Sequence, residues 1–268
     1  MRRRSMLAGV VSTVGGMVVT GAGTAGAAAP PGLRDYRLVN LAHVNDPDRT
    51  NVYPGDPEFT ATTVATVPED GFYLQYVRQG EHTGTHWGAP AHFNEDQPHA
   101  DELDVEDLFL PAVKIDVRER AARDADYAVG VRDLQRWERE HGRIPDEAAI
   151  VLWTGWEDRW GTPAFYNFDQ AGQMHQPGFS LEAARWLVRT GRLGRRGALG
   201  TDTFSVEPAV DTSYSVSKLL YREHRISLEI LANLAKLPAT GAHILVGGTV
   251  NRRGSGSPAS IYAFVPKR

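Results

Sequence analysis

Three histidines fall at even spacing within eleven residues of the stretch Glu81-His82-Thr83-Gly84-Thr85-His86-Trp87-Gly88-Ala89-Pro90-Ala91-His92-Phe93. Gly84 and Pro90 disfavour a helix, so an extended segment is expected. Alternate residues of an extended chain share a face, which puts His82, His86 and His92 on one side with Gly84, Gly88 and Pro90, and Trp87 on the other. Imidazoles gathered this way suit the binding of a divalent metal and the movement of protons. The chain has no cysteine, so a metal would have to be held by His, Asp or Glu.

The elements that must position this segment read as alternating strands and helices. Tyr36 to Leu41 alternates like a strand and runs into a loop, Asn45 to Pro57, dense in Asp, Pro, Asn and Gly. Gly71 to Gln79 is the next expected strand and delivers the chain into the histidines. Ala112 to Val117 and Ala148 to Thr154 are apolar runs of strand length, with an amphipathic helix marked by Val131, Leu134 and Trp137 between them. Ser180 is the expected N-cap of a helix that carries Ala184, Leu187 and Val188 and stops at Gly191. Gly197 to Asp202 and His243 to Val250 read as buried strands flanking a second helical stretch, Val216 to Lys236. After a turn at Arg253 to Pro258 comes a last strand, Ser260 to Val265. This alternation predicts an α/β fold.

Arg2, Arg3 and Arg4 precede an apolar, Gly/Ala-rich run, and Ala25, Ala27 and Ala29 offer A-x-A cleavage points. Residues 1–29 are therefore expected to be a signal peptide, and 30–268 the α/β domain. Arg3-Arg4-Ser5-Met6-Leu7 resembles a twin-arginine signal, with the general secretory route as the alternative. Either predicts a secreted, extracytoplasmic protein with no membrane span after cleavage. The formal charge of the chain is −4, and without Arg2, Arg3 and Arg4 it is −7, with both signs interleaved. Neither nucleic acid nor an anionic membrane is the expected partner; a small molecule is. Trp153, Trp156 and Trp160, with Tyr166 and Phe168 near, are expected in the core, with an aromatic pocket wall as the alternative.

His82 to Phe93 resembles the H-x-G-T-H-x-D-x-P-x-H signature of the cyclase/kynurenine formamidase (arylformamidase-like) family of metal-dependent hydrolases. Val52-Tyr53-Pro54-Gly55-Asp56-Pro57, Pro177 to Ser180, Gly200 to Glu207 and Gly254 to Pro258 resemble further blocks of that family. The resemblance implies a single domain, swivelling β/β/α-like, with a mixed central sheet and flanking helices, in a homo-oligomer. It also implies that His82 and His86 bind metal, that His92 transfers protons and that Glu229 is the late glutamate ligand. Two positions depart from the pattern: Gly88 stands where an aspartate ligand is expected, and Ser217 where a histidine should precede Glu229 by twelve residues.

Losing a carboxylate and an imidazole makes a two-zinc site untenable, so one divalent metal is expected, zinc first and manganese as the alternative. His82, His86 and Glu229 make a His2Glu set that leaves a position open for water. His224, five residues before Glu229, is the candidate replacement for the absent histidine. Asp202, after a buried strand, is expected to support the site as a hydrogen-bond acceptor from behind, with a structural turn as the alternative. The expected activity is hydrolysis of an amide, lactam or cyclic imide, or the reverse ring closure. A catalytically degenerate binding protein and a metal-independent cyclase using His92 and Glu229 are the alternatives.

Overall fold

A computed structural model describes residues 32–267; the expected signal peptide and its cleavage points lie outside the described residues. In chain order the first strands are β1 (Tyr36–Asn40), β2 (Thr60–Ala65), β3 (Leu74–Arg78), β4 (His86–Gly88), β5 (Phe109–Asp116), β6 (Ala128–Val129) and β7 (Ala149–Trp153). They are followed by β8 (Gly178–Phe179), β9 (Ala198–Gly200), β10 (Ile226–Glu229), β11 (Ala242–Val246), β12 (Gly256–Pro258) and β13 (Ile261–Pro266). The α-helices are α1 (Val67–Asp70), α2 (Arg118–Ala121), α3 (Val131–His141), α4 (Leu181–Arg189) and α5 (Ser215–Leu220). None of the described helices is long and apolar enough to cross a membrane.

Nine strands form one mixed sheet in the order β1-β13-β11-β5-β7-β9-β10-β4-β12. Its centre, β5 to β7 to β9 to β10, is parallel, and both flanks are antiparallel. Alternation along the central strands divides the core. Val113, Ile115, Ile150, Leu152 and Leu199 face α3 and α4 through Leu134, Trp137, Ala184 and Leu187. Ala112, Ala149, Val151 and Ala198 face inward across the curled sheet to Val39, Leu41, Ile244 and Ala263. The helix boundaries follow local chemistry: Ser180 Oγ accepts from the Ala183 amide at 3.1 Å, and Gly191 follows α4 at φ +76°.

Three expectations need correction. The stretch Val216 to Lys236 is not one helix: α5 ends at Leu220, and Ile226–Glu229 is a strand in the middle of the sheet. All four residues of β10 are buried between β9 and β4, so they carry no period-two signal, and no Gly or Pro marks the break after Tyr221. The segment 82–93 is extended only over β4; Pro90–His92 is a 3-10 turn. Gly256–Pro258 is an edge strand paired with β4, where a turn was expected. The strand before the histidines is β3, which pairs only with β2 in a hairpin outside the main sheet. Every residue of β3 is exposed, so its alternation does not mark a buried face.

Candidate active site

The antiparallel pairing of β10 with β4 sets Glu229 directly opposite His86. Directly opposed residues hold their Cβ atoms about 5 Å apart, so the two side chains must meet. His86 is buried, its Nδ1–H donates to the Gly84 carbonyl at 2.9 Å, and its Nε2 lies 2.9 Å from Glu229 Oε2. The ring is aimed by an unusual local backbone. Gly84 sits at φ +61°, and the Asn45 side chain fills the space a Cβ would take, so only glycine can turn the carbonyl back toward the imidazole that follows. Immediately after Glu229, Ile230 adopts φ +56°. A β-branched residue there stores about 1–3 kcal/mol of strain. Thr85 Oγ1 donates to the Ile230 carbonyl at 2.5 Å, and the Ile230 amide donates to the Thr203 carbonyl at 3.0 Å, which holds that conformation.

His82 approaches from the turn before β4. Ser255 donates both its amide and its hydroxyl to Glu81 Oε2, each at 2.8 Å, so His82 Nε2–H donates to Ser255 Oγ at 2.9 Å and Nδ1 keeps the lone pair. The His92 ring stacks on His82 with centroids 4.0 Å apart, while His86 meets His82 edge-on at 5.0 Å. Burial, then the neighbouring His86 and His92, push the His82 pKa down to about 2. Burial likewise holds His92 below the ordinary histidine range, against the pull of Glu229. Both rings are therefore neutral at pH 7 and can accept protons or donate lone pairs.

These groups open into a cavity of about 260 Å³. Its apolar walls are Phe93 and Phe204, and Tyr53 and Tyr214 join their hydroxyls at 2.9 Å on its rim. Asp56 also faces it; burial raises its carboxyl pKa, and His86 and His92 oppose that rise. Ser205 and Ser217 line the remaining wall, backed by the buried Glu207. Tyr53, Asp56, Ser205, Glu207 and Tyr214 were not singled out from the sequence. Four of them lie in the Val52–Pro57 and Gly200–Glu207 blocks, so the signal was a position within a block, without a role.

Other expected site residues are placed elsewhere. His224 does not replace the absent histidine: its Nδ1 meets Asp107 Oδ2 at 3.0 Å and its Nε2 meets Arg195 at 2.8 Å, outside the cavity. Asp202 does not support the histidines. It is fully buried and accepts from the amides of Thr154, Trp156 and Glu157 and from the Thr154 hydroxyl, which fixes the turn after β7. The aromatic walls are not Trp153, Trp156 and Trp160, none of which lines the cavity; Trp156 is a core residue. At Gly88, the Tyr221 hydroxyl already fills the volume of an added Cβ and donates to Ser227 Oγ at 2.7 Å. Ser217 does reach the cavity, but its hydroxyl donates to Glu207.

The donor set fits one cation in its chemistry. With Nδ1–H committed to Gly84, His86 turns a lone pair toward a carboxylate oxygen 2.9 Å away, an arrangement that requires a proton or a metal between them. The 2.9 Å between them is the length of a hydrogen bond, so a cation held by both would need them slightly further apart. His82 stands off, held by Ser255, so the three do not form a closed shell. Among the described residues, the trio whose ligand atoms all lie within 4.8 Å of one another is Asp104, Asp107 and His224. Arg196 Nε is 3.0 Å from Asp107 Oδ1 and Arg195 contacts both Asp104 and His224, so two guanidinium groups already answer those carboxylates.

The chain is 33% identical over 248 residues to isatin hydrolase of Roseibium aggregatum, covering 87% of this chain and 93% of that relative. Among solved structures, isatin hydrolase A from Labrenzia aggregata, bound to benzyl benzoate, superposes with a TM-score of 0.80 at 32% identity over 87% of this chain and 95% of that one. An isatin hydrolase bound to the product analogue thioisatinate gives a TM-score of 0.79 at 29% identity, covering 87% and 94%. The α/β architecture with its curled mixed sheet is thus the one these structures share. The Cyclase family model matches residues 39–208, a span that holds the histidine segment and the Gly200–Glu207 block, and with the relatives above it shows that the chain belongs to the Cyclase family.

Proposed function

We propose that this protein hydrolyses a cyclic amide, a lactam or cyclic imide of about the size of isatin, with one divalent metal held by His82, His86 and Glu229. The observation that carries the reading is the His86–Glu229 pair: a buried imidazole lone pair and a carboxylate 2.9 Å apart at the floor of a small aromatic cavity. A bound zinc or manganese ion would polarise the carbonyl and lower the pKa of water. The chain's own groups supply the rest. Phe93 and Phe204 sandwich a flat ring and displace water from around the scissile bond. The Tyr53–Tyr214 pair retains one unused O–H for a substrate carbonyl. His92, neutral because it is buried, takes a proton from the attacking water and returns it to the leaving nitrogen as the ring C–N bond breaks, so that an amine and a carboxylic acid result, the acid then losing its proton to solvent.

The test is turnover of isatin, with an open-chain aryl formamide as comparison, in protein of known metal content. About one equivalent of metal with turnover that chelation removes and metal restores is the expected result. Full turnover after complete chelation would replace this reading by a second one, a metal-free acid/base site. The blocked Gly88 position and the serine at 217 favour that alternative, in which a proton lies between His86 and Glu229. Absence of both metal and turnover would leave a binding protein.

Two further readings concern the whole chain. Residues 1–29 direct export, supported by the arginines and the A-x-A points, and a mature N-terminus near Ala29 in the secreted fraction checks it. The protein self-associates through the β2–β3 hairpin, which exposes Val64, Val67, Phe72, Tyr73, Leu74, Tyr76 and Val77. These side chains offer on the order of 700 Å², close to the ~800 Å² per partner of a stable interface.

A further inference from the structure

Glu207 takes no part in the chemistry above, yet it is the most heavily engaged carboxylate beside the cavity. It is 2% exposed and accepts the Ser205 hydroxyl at 2.6 Å, the Ser217 hydroxyl at 3.0 and 3.1 Å, and the Ser217 amide at 2.8 Å. A hydroxyl has one hydrogen to give. Where Glu207 is ionised, above the pKa of about 7 to which burial raises it, both serines give their hydrogens backward to it, and what each presents to the cavity is lone pairs. Two hydroxyl oxygens on one wall therefore form a surface that accepts hydrogen bonds and repels a substrate carbonyl. The adjoining Tyr53–Tyr214 pair is complementary, since it leaves one O–H to donate and Tyr214 caps the helix that carries Ser217. An amide in a ring presents a donor, N–H, and an acceptor, C=O, side by side.

We propose that Ser205 and Ser217, oriented by Glu207, form the subsite that takes the N–H of the substrate, so that the position where a metal-binding histidine was expected serves ring-nitrogen recognition instead. This deepens the hydrolase reading and rests on it. It makes Ser205 and Ser217 binding residues and Glu207 a positioning residue that acts through them.

The experiment compares isatin with N-methylisatin, by turnover and by calorimetric binding, in the wild type, Ser217→Ala, Ser217→Thr and Glu207→Gln. The wild type should prefer the N–H compound by about 10- to 100-fold in kcat/KM, the worth of one or two good hydrogen bonds. Ser217→Ala should shrink that ratio chiefly through KM for the N–H compound, and Ser217→Thr, which keeps the hydroxyl, should restore it. Glu207→Gln should shrink it as well, because an amide NH2 donates to a serine and turns that serine's hydrogen toward the cavity. A merely structural role would lower both substrates together and leave the ratio unchanged. Turnover of both compounds with no preference, or a preference unmoved by Ser217→Ala, overturns the subsite and leaves the hydrolase standing. Selective binding of isatin without turnover overturns the hydrolase and keeps the subsite. Neither binding nor turnover overturns both.

Discussion

Two places in this molecule set a histidine beside a buried carboxylate at almost the same distance: His86 and Glu229 at 2.9 Å, and His224 and Asp107 at 3.0 Å. Distance does not separate them; their surroundings do. Asp107 is answered by Arg196, and His224 touches Arg195, so that cluster is an ion-pair network tying the 104–108 turn to the start of β9 and the loop before β10. No arginine or lysine is among the residues lining the cavity at His86 and Glu229, which adds imidazoles, phenols, serines, two phenylalanines and the Asp56 carboxyl to that pair. A carboxylate left without a cation at the bottom of a pocket is a place where a cation or a substrate can act. A carboxylate already neutralised by neighbouring guanidinium groups is scaffolding.

Exchanging single residues between the two places gives the largest contrast. His86→Ala should remove the bound metal and cut isatin turnover by about 10³-fold or more, with elemental analysis and initial rates as the measurements. Asp107→Asn should leave turnover within a few-fold and lower stability by about 3 kcal/mol, because Arg196 and His224 lose their partner. Urea denaturation separates the two effects, and loss of metal in Asp107→Asn would remove the distinction drawn between the clusters.

The second contrast concerns the empty aspartate position. Gly88→Asp should cost about 2 kcal/mol or more, since the new side chain meets Tyr221 and buries a charge. Metal occupancy should rise only when Tyr221 is also cut back, in Gly88→Asp with Tyr221→Ala. A fully stable single variant with raised occupancy would show that the Tyr221 hydroxyl does not hold that space.

Titration should divide the pocket further. Folding lowers the His82 pKa from 6.5 to about 2, so its contribution to stability is complete above pH 6.5 and is lost progressively as pH falls toward 2. Glu207 shifts the other way, from 4.5 up to about 7, because it is buried. Its contribution is complete below pH 4.5 and is lost as pH rises through about 7. Glu207→Gln should abolish the alkaline decline in urea-derived stability and leave the acid limb in place. The smallest effect on catalysis is expected far from both clusters: Tyr76→Glu on the exposed hairpin should weaken self-association in sedimentation while changing turnover less than two-fold.

How much of this was legible depends on whether a residue's partner lies near it in the chain. The histidine segment, the helix begun by Ser180 and the strands Ala149–Trp153 and Ile261–Pro266 could be read because local pattern and caps decide them. Glu229 could be named only through the family resemblance, and the sequence pattern puts it in a helix, because four residues buried on both faces carry no period. His224 lay closer to Glu229 in sequence than any other histidine, yet the turn before β10 sends it to Asp107. Ser217 read as a loss, and only its contact with Glu207 shows what it holds.

The sequence by itself determined which groups can ligate and shuttle protons, because side-chain chemistry and the absence of cysteine are properties of composition and spacing. The tertiary structure alone decided which of them meet. The β4–β10 register, the strained Ile230 and the Tyr221 hydroxyl at Gly88 bring together residues more than a hundred positions apart, and no local rule encodes such a pairing.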